Sequence, residues 1–144
     1  MFSKACQYGI KASVYIASQS ELGNRVSLKD IAYKINSPEA FTAKILHQLA
    51  KKDILTSLKG PTGGFEIPKG RSKNLTLADI VAAIDGDSIY VGCALGLESC
   101  DENQPCPMHH KFVSIREDLK DMLEKTSLYE LALGLDVGIS FLKR

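Results

Sequence analysis

The fold of this chain is decided by residues 27–67, which read SLKDIAYKINSPEAFTAKILHQLAKKDILTSLKGPTGGFEI. Ser27 can cap a helix, and apolar side chains then recur at helical spacing (Leu28, Ile31, Ala32, Ile35). After a break at Asn36, the Ser37-Pro38-Glu39 tripeptide offers a capping serine, a first-turn proline and an acid suited to the helix dipole. The pattern predicts a second helix that Ser37 caps and that runs to about Lys52.

The second of these helices has two unlike faces. Apolar side chains line one face (Phe41, Ile45, Leu46, Leu49), and small or basic ones line the other (Ala40, Ala43, Lys44, His47, Lys51). An amphipathic helix is also predicted over residues 3–19. Three helices with a tight break before the last are typical of a helix-turn-helix, although this spacing alone fits any three-helix bundle about equally well.

A predicted hairpin follows at once. Residues 54–58 read as a strand, residues 59–64 as a glycine-rich turn and residues 65–67 as a returning strand. A hairpin in this place is the wing of a winged helix, in which glycines let the tip approach a phosphate backbone. Nearby cations supply charge (Lys59, Lys69, Arg71, Lys73). Because glycine-rich hairpin tips often do no more than turn, a purely structural role stays open.

Charge is distributed unevenly along the 144 residues. Residues 1–84 contain 12 Lys/Arg and 6 Asp/Glu, whereas residues 85–144 contain 6 Lys/Arg and 11 Asp/Glu. A basic first half and an acidic second half suit a nucleic-acid reader joined to a different module. No apolar run approaches the ~18 residues of a membrane span, and no signal peptide is apparent. We therefore expect a cytoplasmic protein whose cysteines are thiols or ligands rather than disulfides.

The second half predicts two further helices and a long loop. Thr76 and Asp79 form a capping pair for a helix that ends at Asp85-Gly86, and residues 86–107 read as a loop. From about Met108 to Lys125 a long helix carries a narrow apolar seam (Phe112, Ile115, Leu119, Met122). Such a seam favours pairing with a second copy over packing on its own domain. A capping box at Ser127 and Glu130 opens a last helix through Leu135.

Three cysteines and a histidine stand close together, as Cys93, Cys100, Cys106 and His109 in the order C-x6-C-x5-C-x2-H. These ligand types indicate a metal or iron–sulfur site. Structural zinc sites use closer pairs, about two to four residues apart, so a cluster is favoured over zinc and zinc over idle thiols. Cys6 lies far away in a helix and is interpreted as a core thiol. A Cys106–His109 nucleophile–base pair lacks an oxyanion feature or an orienting residue, so we expect no enzyme.

The sequence resembles the Rrf-two (Rrf2) family of winged-helix transcriptional regulators, and within that family it is similar to IscR-like and NsrR-like members. The resemblance rests on YGIKA at 8–12, SLKDIA at 27–32, LHQL at 46–49, SLKGPTGGF at 57–65 and the three-cysteine loop. It implies a homodimer that binds an inverted-repeat operator in double-stranded DNA, and a 2Fe–2S cluster on the three cysteines. The IscR-like pattern makes His109 the fourth ligand and leaves His110 open. In NsrR-like members a carboxylate occupies the position of Gln7, which is a poor ligand.

The residues and the resemblance together predict three segments of the chain and one set of DNA-contacting residues. We expect a mostly α fold with a small β-hairpin: a winged helix at 1–85, a cysteine-bearing cluster loop at 86–107, and a dimerisation helix and C-terminal helix at 108–144. The expected DNA contacts are Lys29, Ser37, Glu39, Ala40, Ala43, Lys44, His47, Lys59, Gly63 and Gly64.

Two features depart from the IscR-like pattern. Ala40 and Ala43 replace polar and acidic residues there, and the first cysteine spacing is one residue longer. Because alanine cannot hydrogen-bond a base edge, the operator preference does not carry over. We expect a repressor with no small-molecule substrate and no membrane partner. The alternative is a cluster-free winged-helix repressor regulated by thiol chemistry, zinc or a protein partner.

Overall fold

Ten elements follow one another along residues 1–144, all of which the computed structural model describes. Helices α1 to α3 come first, and the two-stranded hairpin β1–β2, a 3-10 turn and helices α4 to α7 follow. Their bounds are α1 Lys4–Glu21, α2 Leu28–Ile35, α3 Glu39–Lys51, β1 Thr56–Leu58, β2 Gly64–Glu66, the 3-10 turn Arg71–Lys73, α4 Leu77–Asp85, α5 Ser88–Val91, α6 His109–Lys125 and α7 Leu128–Asp136. The predicted fold class, a mostly helical winged helix-turn-helix with one hairpin, is confirmed.

Helix α1 lies at the centre of the packing. The Ser3 hydroxyl caps it by accepting a hydrogen bond from the Cys6 backbone N–H at 3.0 Å. Its buried side contacts α2, α3, α4 and α7. Residues near the C-terminus, among them Leu123 and Leu128, belong to the same hydrophobic core cluster as Ile16. The core therefore continues past residue 85, and the division into 1–85, 86–107 and 108–144 stays a prediction.

The turn between α2 and α3 differs from the prediction in its capping. Asn36 ends α2 in the left-handed conformation, and the Ser37 N–H donates to Ala32 O at 3.0 Å, as in a Schellman motif. Ser37 thus closes α2, and its hydroxyl bonds the Thr42 hydroxyl. Pro38 is the N-cap of α3, without a side-chain cap hydrogen bond, so the assignment of Ser37 as N-cap was wrong.

The wing is a short antiparallel hairpin held against the body of the domain. Its strands pair Thr56 with Glu66 and Leu58 with Gly64. The first strand is two residues shorter than predicted, because Ile54 and Leu55 lie buried in the core before the hairpin begins. The second strand has the predicted length but begins one residue earlier, at Gly64. Val26 adds a bridge to Phe65 through backbone hydrogen bonds of 3.1 and 2.8 Å. This bridge orients the hairpin relative to α1 and α2.

The second half of the chain follows the predicted order. Thr76 and Asp79 form the expected capping box at the start of α4, and the Ser127 hydroxyl accepts from the Glu130 N–H at the start of α7. One segment differs, because the predicted loop at 86–107 contains the one-turn helix α5. None of the helices combines the length and the apolar character that crossing a membrane requires.

Candidate DNA-reading face and cysteine loop

Helix α3 turns one face to the core and the other to solvent. Ile45, Leu46 and Leu49 are buried and fix the helix against the domain. The predicted reading residues lie on the opposite side, where Glu39, Ala40, Lys44 and His47 are exposed and Ala43 is half-buried. None of the exposed four engages another side chain in an ion pair within the chain. The predicted face is therefore free to meet a ligand.

Two further predicted contacts lie near the ends of α2. Lys29 is exposed in the first turn of α2, where its ammonium is free of an intrachain acid. Ser37 is half-buried, and its hydroxyl is already bonded to that of Thr42. Thr42 in turn donates to the Pro38 carbonyl at 2.7 Å. Ser37 consequently orients the first turn of α3 from the core side, while Lys29 faces solvent.

Glycine is required at the wing for a steric reason. Gly64 has φ +136°, and a Cβ there would lie 2.6 Å from the Val26 carbonyl oxygen. A Cβ on Gly63 would lie 2.2 Å from the Leu58 carbonyl oxygen. Only glycine lets the hairpin close this tightly against its neighbours. Lys59 is exposed at the start of the turn.

Arg25 holds the wing in place and was missed by the sequence reasoning. Its Nε donates to the Glu66 carboxylate at 3.1 Å, and its Nη1 donates to the Thr62 carbonyl at 3.2 Å. One side chain thus joins the end of α1 to a wing strand and the wing tip. Because the contact spans about 40 positions, no local pattern in the sequence points to it.

The structure brings two of the four predicted ligands into contact. Cys100 Sγ and His109 Nδ1 lie 3.3 Å apart. The His109 N–H also donates to the Cys106 carbonyl at 3.0 Å, which places Cys106 next to this pair along the chain. His109 is only 6% exposed. His110, the next residue of α6, is exposed, and its ring lies edge-on to the His109 ring with centroids 5.1 Å apart.

Backbone N–H groups surround the Cys93 sulfur. Hydrogen bonds from the backbone at Leu95, Leu97 and Gly96 lower the pKa of Cys93, and the Cys106 thiol acts in the same direction. An anionic sulfur is stabilised by such donors. Thiolate is the form in which cysteine binds a metal.

The chemistry of the donors fits a two-iron cluster. Three thiols and one imidazole are suitable ligands for two irons, with two ligands for each. As placed, however, no three Cys, His, Asp or Glu side chains in the chain converge closely enough to hold a single metal ion. All four cysteines are free thiols, so the three in the loop are available to bind such a group.

Cys6 is separate from this loop, as predicted for a core thiol. It is fully buried, and burial together with the neighbouring Asp85 carboxylate raises its pKa to about 12. Asp85 also accepts the Ser3 N–H at 3.0 Å and the Ser3 hydroxyl. Cys6 therefore stays protonated and packs the start of α1 against the end of α4.

Comparison with known proteins agrees with these features. A family model described as Rrf2, iron-dependent transcriptional regulator, matches residues 2–133. A predicted HTH-type transcriptional regulator of Aquifex aeolicus is 31% identical over 133 residues, which are 91% of this chain and 90% of that protein. The regulator IscR of Klebsiella pneumoniae is 26% identical over 131 residues, covering 91% of this chain and 78% of IscR.

Solved structures share the fold. CymR, the global cysteine regulator of B. subtilis, superposes with a TM-score of 0.76 at 22% identity, covering 92% of this chain and 96% of CymR. T. potens IscR gives a TM-score of 0.72 at 17% identity and covers 97% of this chain and 91% of that one. From its match over residues 2–133 and its helix-turn-helix with a wing, the chain belongs to the Rrf2 family of transcriptional regulators.

Proposed function

We propose that this regulator is a repressor that binds an inverted-repeat DNA operator as a homodimer and responds to the state of a 2Fe–2S cluster. The observation that carries the proposal is the two-faced α3. Its apolar side is buried in the core, and its polar and small side chains lie exposed beside the wing. In helix-turn-helix proteins this surface enters the major groove.

The exposed face of α3 has a mixed capacity for reading bases. The Glu39 carboxylate can accept a hydrogen bond from a cytosine amine, and Lys44 can donate to guanine. Ala40 and Ala43 can contact thymine methyl groups, and His47 adds a further donor or acceptor. Lys29, Lys59 and the Gly63-Gly64 tip serve the phosphate backbone or the minor groove, while Ser37 supports the first turn of α3 through its bond to Thr42.

Pairing through α6 is supported by the exposure of its apolar seam. Ile115 is 54% exposed and Met122 is 44% exposed, although both are large apolar side chains. Phe112 and Leu119 on the same seam are half-buried. Burying this seam against a second copy would remove apolar surface from water at about 25 cal/mol per Å². A two-fold dimer would present two α3 helices to the two halves of an operator.

Sensing is assigned to the loop between α5 and α6. Cys93 with Cys106 and Cys100 with His109 would hold the two irons, and the bound cluster would supply one-electron redox chemistry. His109 is the first residue of α6, so one of the proposed cluster ligands belongs to the helix that is proposed to pair. A change in the loop would therefore directly affect α6, the helix proposed to set the relative orientation of the two winged helices. Sensing by this route requires two states with different affinity for DNA.

DNA binding is tested by selecting duplexes from a random-sequence pool with the purified protein. We expect a two-fold symmetric consensus, bound with nanomolar affinity and a steep dependence on salt. Replacing both Lys44 and His47 by alanine should then remove the sequence preference while retaining weak binding. The assignment of α3 as reading helix would be contradicted if the selection enriched no sequence. It would also be contradicted if the double variant kept the sequence preference of the unaltered protein.

The cluster is tested on protein expressed and purified without oxygen. We expect roughly two irons and two acid-labile sulfides per chain, with a visible charge-transfer band. His109→Ala should change the band and the iron content, whereas His110→Ala is the matched control and should change neither. Equal DNA affinity of the protein with and without the cluster would contradict sensing but leave DNA binding intact.

A second candidate is a cluster-free repressor regulated by its thiols, by zinc or by a protein partner. The three free, half-buried thiols of the loop favour the thiol form, because accessible thiols on one loop can exchange with a reversible disulfide. Zinc alone, or no metal, in the anaerobic preparation would favour this candidate over the cluster.

A further inference from the structure

A basic pocket lies beside the turn of the helix-turn-helix, outside the residues assigned to the reading face. It is an open pocket of ≈ 430 Å³ formed by α1, the α2–α3 turn and the C-terminal residues. Its principal lining residues, which define what we call the α1 basic pocket, are Lys4, Tyr8, Lys11, Asn36, Phe141 and Lys143. No acidic side chain lines it.

The cations of the α1 basic pocket have no partner within the chain. The three intrachain ion pairs use Arg25, Lys120 and Lys125. Lys4, Lys11 and Lys143 therefore carry positive charge that no carboxylate of the protein neutralises. Cations gathered without counter-charge repel one another, and an anion bound between them relieves that repulsion.

Aromatic rings hold these cations at the pocket wall. The Nζ atoms of Lys4 and Lys11 lie 5.0 and 5.6 Å from the centroid of the Tyr8 ring. Lys143 Nζ lies 4.1 Å from the centroid of the Tyr33 ring, and it donates to the Tyr33 carbonyl at 3.4 Å. Each ammonium group is attracted to the face of its ring, while Lys4 and Lys143 remain exposed and Lys11 is half-buried.

The α1 basic pocket lies beside the start of α3. The Tyr8 ring meets the Phe41 ring edge-on, with centroids 5.7 Å apart. Asn36, which lines the pocket, ends α2 just before the first turn of α3. When the start of such a helix enters a groove, the phosphates that bound the groove pass beside it. The ligand best matched in charge and position is therefore the DNA backbone.

We propose that the α1 basic pocket contacts DNA phosphates that flank the groove entered by α3, and that the C-terminal residues supply one of its cations through Lys143. The inference rests on the proposed DNA-binding function. It adds a contact surface outside the helix-turn-helix and the wing. It also gives the segment after α7 a role in affinity without a role in sequence preference, since phosphates carry no direct sequence information.

The test measures how the affinity for a duplex selected by the unaltered protein depends on salt, by fluorescence anisotropy. The slope of log K against log salt should flatten by about 0.9 per protomer in each of three variants, Lys4→Gln, Lys11→Gln and Lys143→Gln. In the triple variant it should flatten by about the sum of the three. Lys111→Gln removes an exposed lysine from α6, away from the pocket, and should leave the slope unchanged. A triple variant with the slope of the unaltered protein, or an equal effect of Lys111→Gln, would overturn the proposal.

Two further arms separate the possible failures. If the unaltered protein binds no duplex in a salt-dependent way, the DNA-binding function itself fails; a steep slope that the triple variant retains removes the pocket alone. Inorganic phosphate is titrated into the DNA-free protein by calorimetry. Saturable phosphate binding that the triple variant loses, together with an unchanged DNA slope, would assign the pocket to a free anion and overturn the proposal. Thermal unfolding confirms that the triple variant is folded.

Discussion

Arg116 on α6 donates a hydrogen bond from Nη2 to Cys100 Sγ over 3.0 Å, and so joins the long helix to the cysteine loop. The same guanidinium donates from Nη1 to the Gly92 carbonyl at 2.8 Å and to the Tyr90 carbonyl at 3.3 Å. One side chain therefore holds both the end of α5 and the middle of the loop. Arginine suits this role because its planar fork presents five donors in a fixed geometry.

Arg116→Ala is expected to loosen the loop without unfolding the protein. Hydrogen exchange of the amides at 90–100 should become faster, because each lost hydrogen bond to a charged donor is worth about 1.5–3 kcal/mol before solvent screening. Asp118→Ala, at an exposed position of the same helix, is the control. Unchanged exchange at 90–100 in Arg116→Ala would show that the loop is held by other contacts.

Lys59→Ala is expected to weaken binding to all duplexes alike. The lysine is exposed at the wing and can reach a phosphate, so its loss should flatten the salt dependence by about one unit of slope per protomer. Affinity for operator and for unrelated DNA is measured over a salt series. A slope equal to that of the unaltered protein would remove Lys59 from the set of DNA contacts.

Ile115→Glu is expected to convert the dimer to a monomer. The side chain is 54% exposed in one chain and lies on the seam that we assign to pairing, where a buried charge without a partner is costly. Sedimentation velocity measures the change. Leu22→Glu is the matched control, since Leu22 is 65% exposed but lies beyond α1. Dissociation by Leu22→Glu, or a dimer that persists in Ile115→Glu, would contradict pairing through this seam.

Gly64→Ala is expected to lower the melting temperature more than Gly60→Ala. Both glycines have positive φ, +136° and +99°, so alanine is strained at either position by roughly 1–3 kcal/mol. Only at Gly64 would the new Cβ also meet backbone, at 2.6 Å from the Val26 carbonyl oxygen, whereas nothing lies within 4 Å at Gly60. Equal melting temperatures would mean that the Val26–Phe65 bridge is not held as described.

Cys6 is expected to resist alkylation in the folded, metal-free protein at pH 8, while the three loop cysteines react. Burial and Asp85 raise the pKa of Cys6 to about 12, so it stays a protonated thiol at pH 8. The pKa of Cys6 in the folded protein lies above the ordinary 9.0. The contribution of this thiol to the free energy of unfolding is therefore complete below pH 9 and declines as the pH rises towards 12. Mass mapping after brief iodoacetamide treatment checks this. Early labelling of Cys6 would contradict the packing of α1 on α4.

Local patterns were enough to predict most of the helices. Thr76 and Asp79 satisfy each other within four residues, so their capping box was predictable from spacing alone. Ser37 shows where such reasoning fails. Its position before Pro38 and Glu39 looks like a helix start, but its N–H completes the end of α2. Ser37 could either end α2 or cap the start of α3, and the spacing of the residues does not determine which of the two it does.

The candidate site was predictable in composition but not in arrangement. The C-x6-C-x5-C-x2-H spacing predicts the donors, yet it could not show that Cys100 Sγ lies against His109 Nδ1. Pairing within a loop depends on backbone dihedrals that the residue types leave open. Arg25 and Arg116 were missed for a related reason, since each bonds carbonyls at least 24 positions away.

Helix α6 is anchored at its far end by backbone contacts between Thr76 and Ser127. There the Leu77 N–H donates to the Thr126 carbonyl at 3.0 Å, and the Leu128 N–H donates to the Leu75 carbonyl at 2.9 Å. A helix of 17 residues is about 25 Å long, so a 1 Å displacement at His109 tilts it about this anchor by only about 2°. A loop rearrangement that reorients two such helices, paired as we propose, therefore has to move the start of α6 by several ångströms rather than by one.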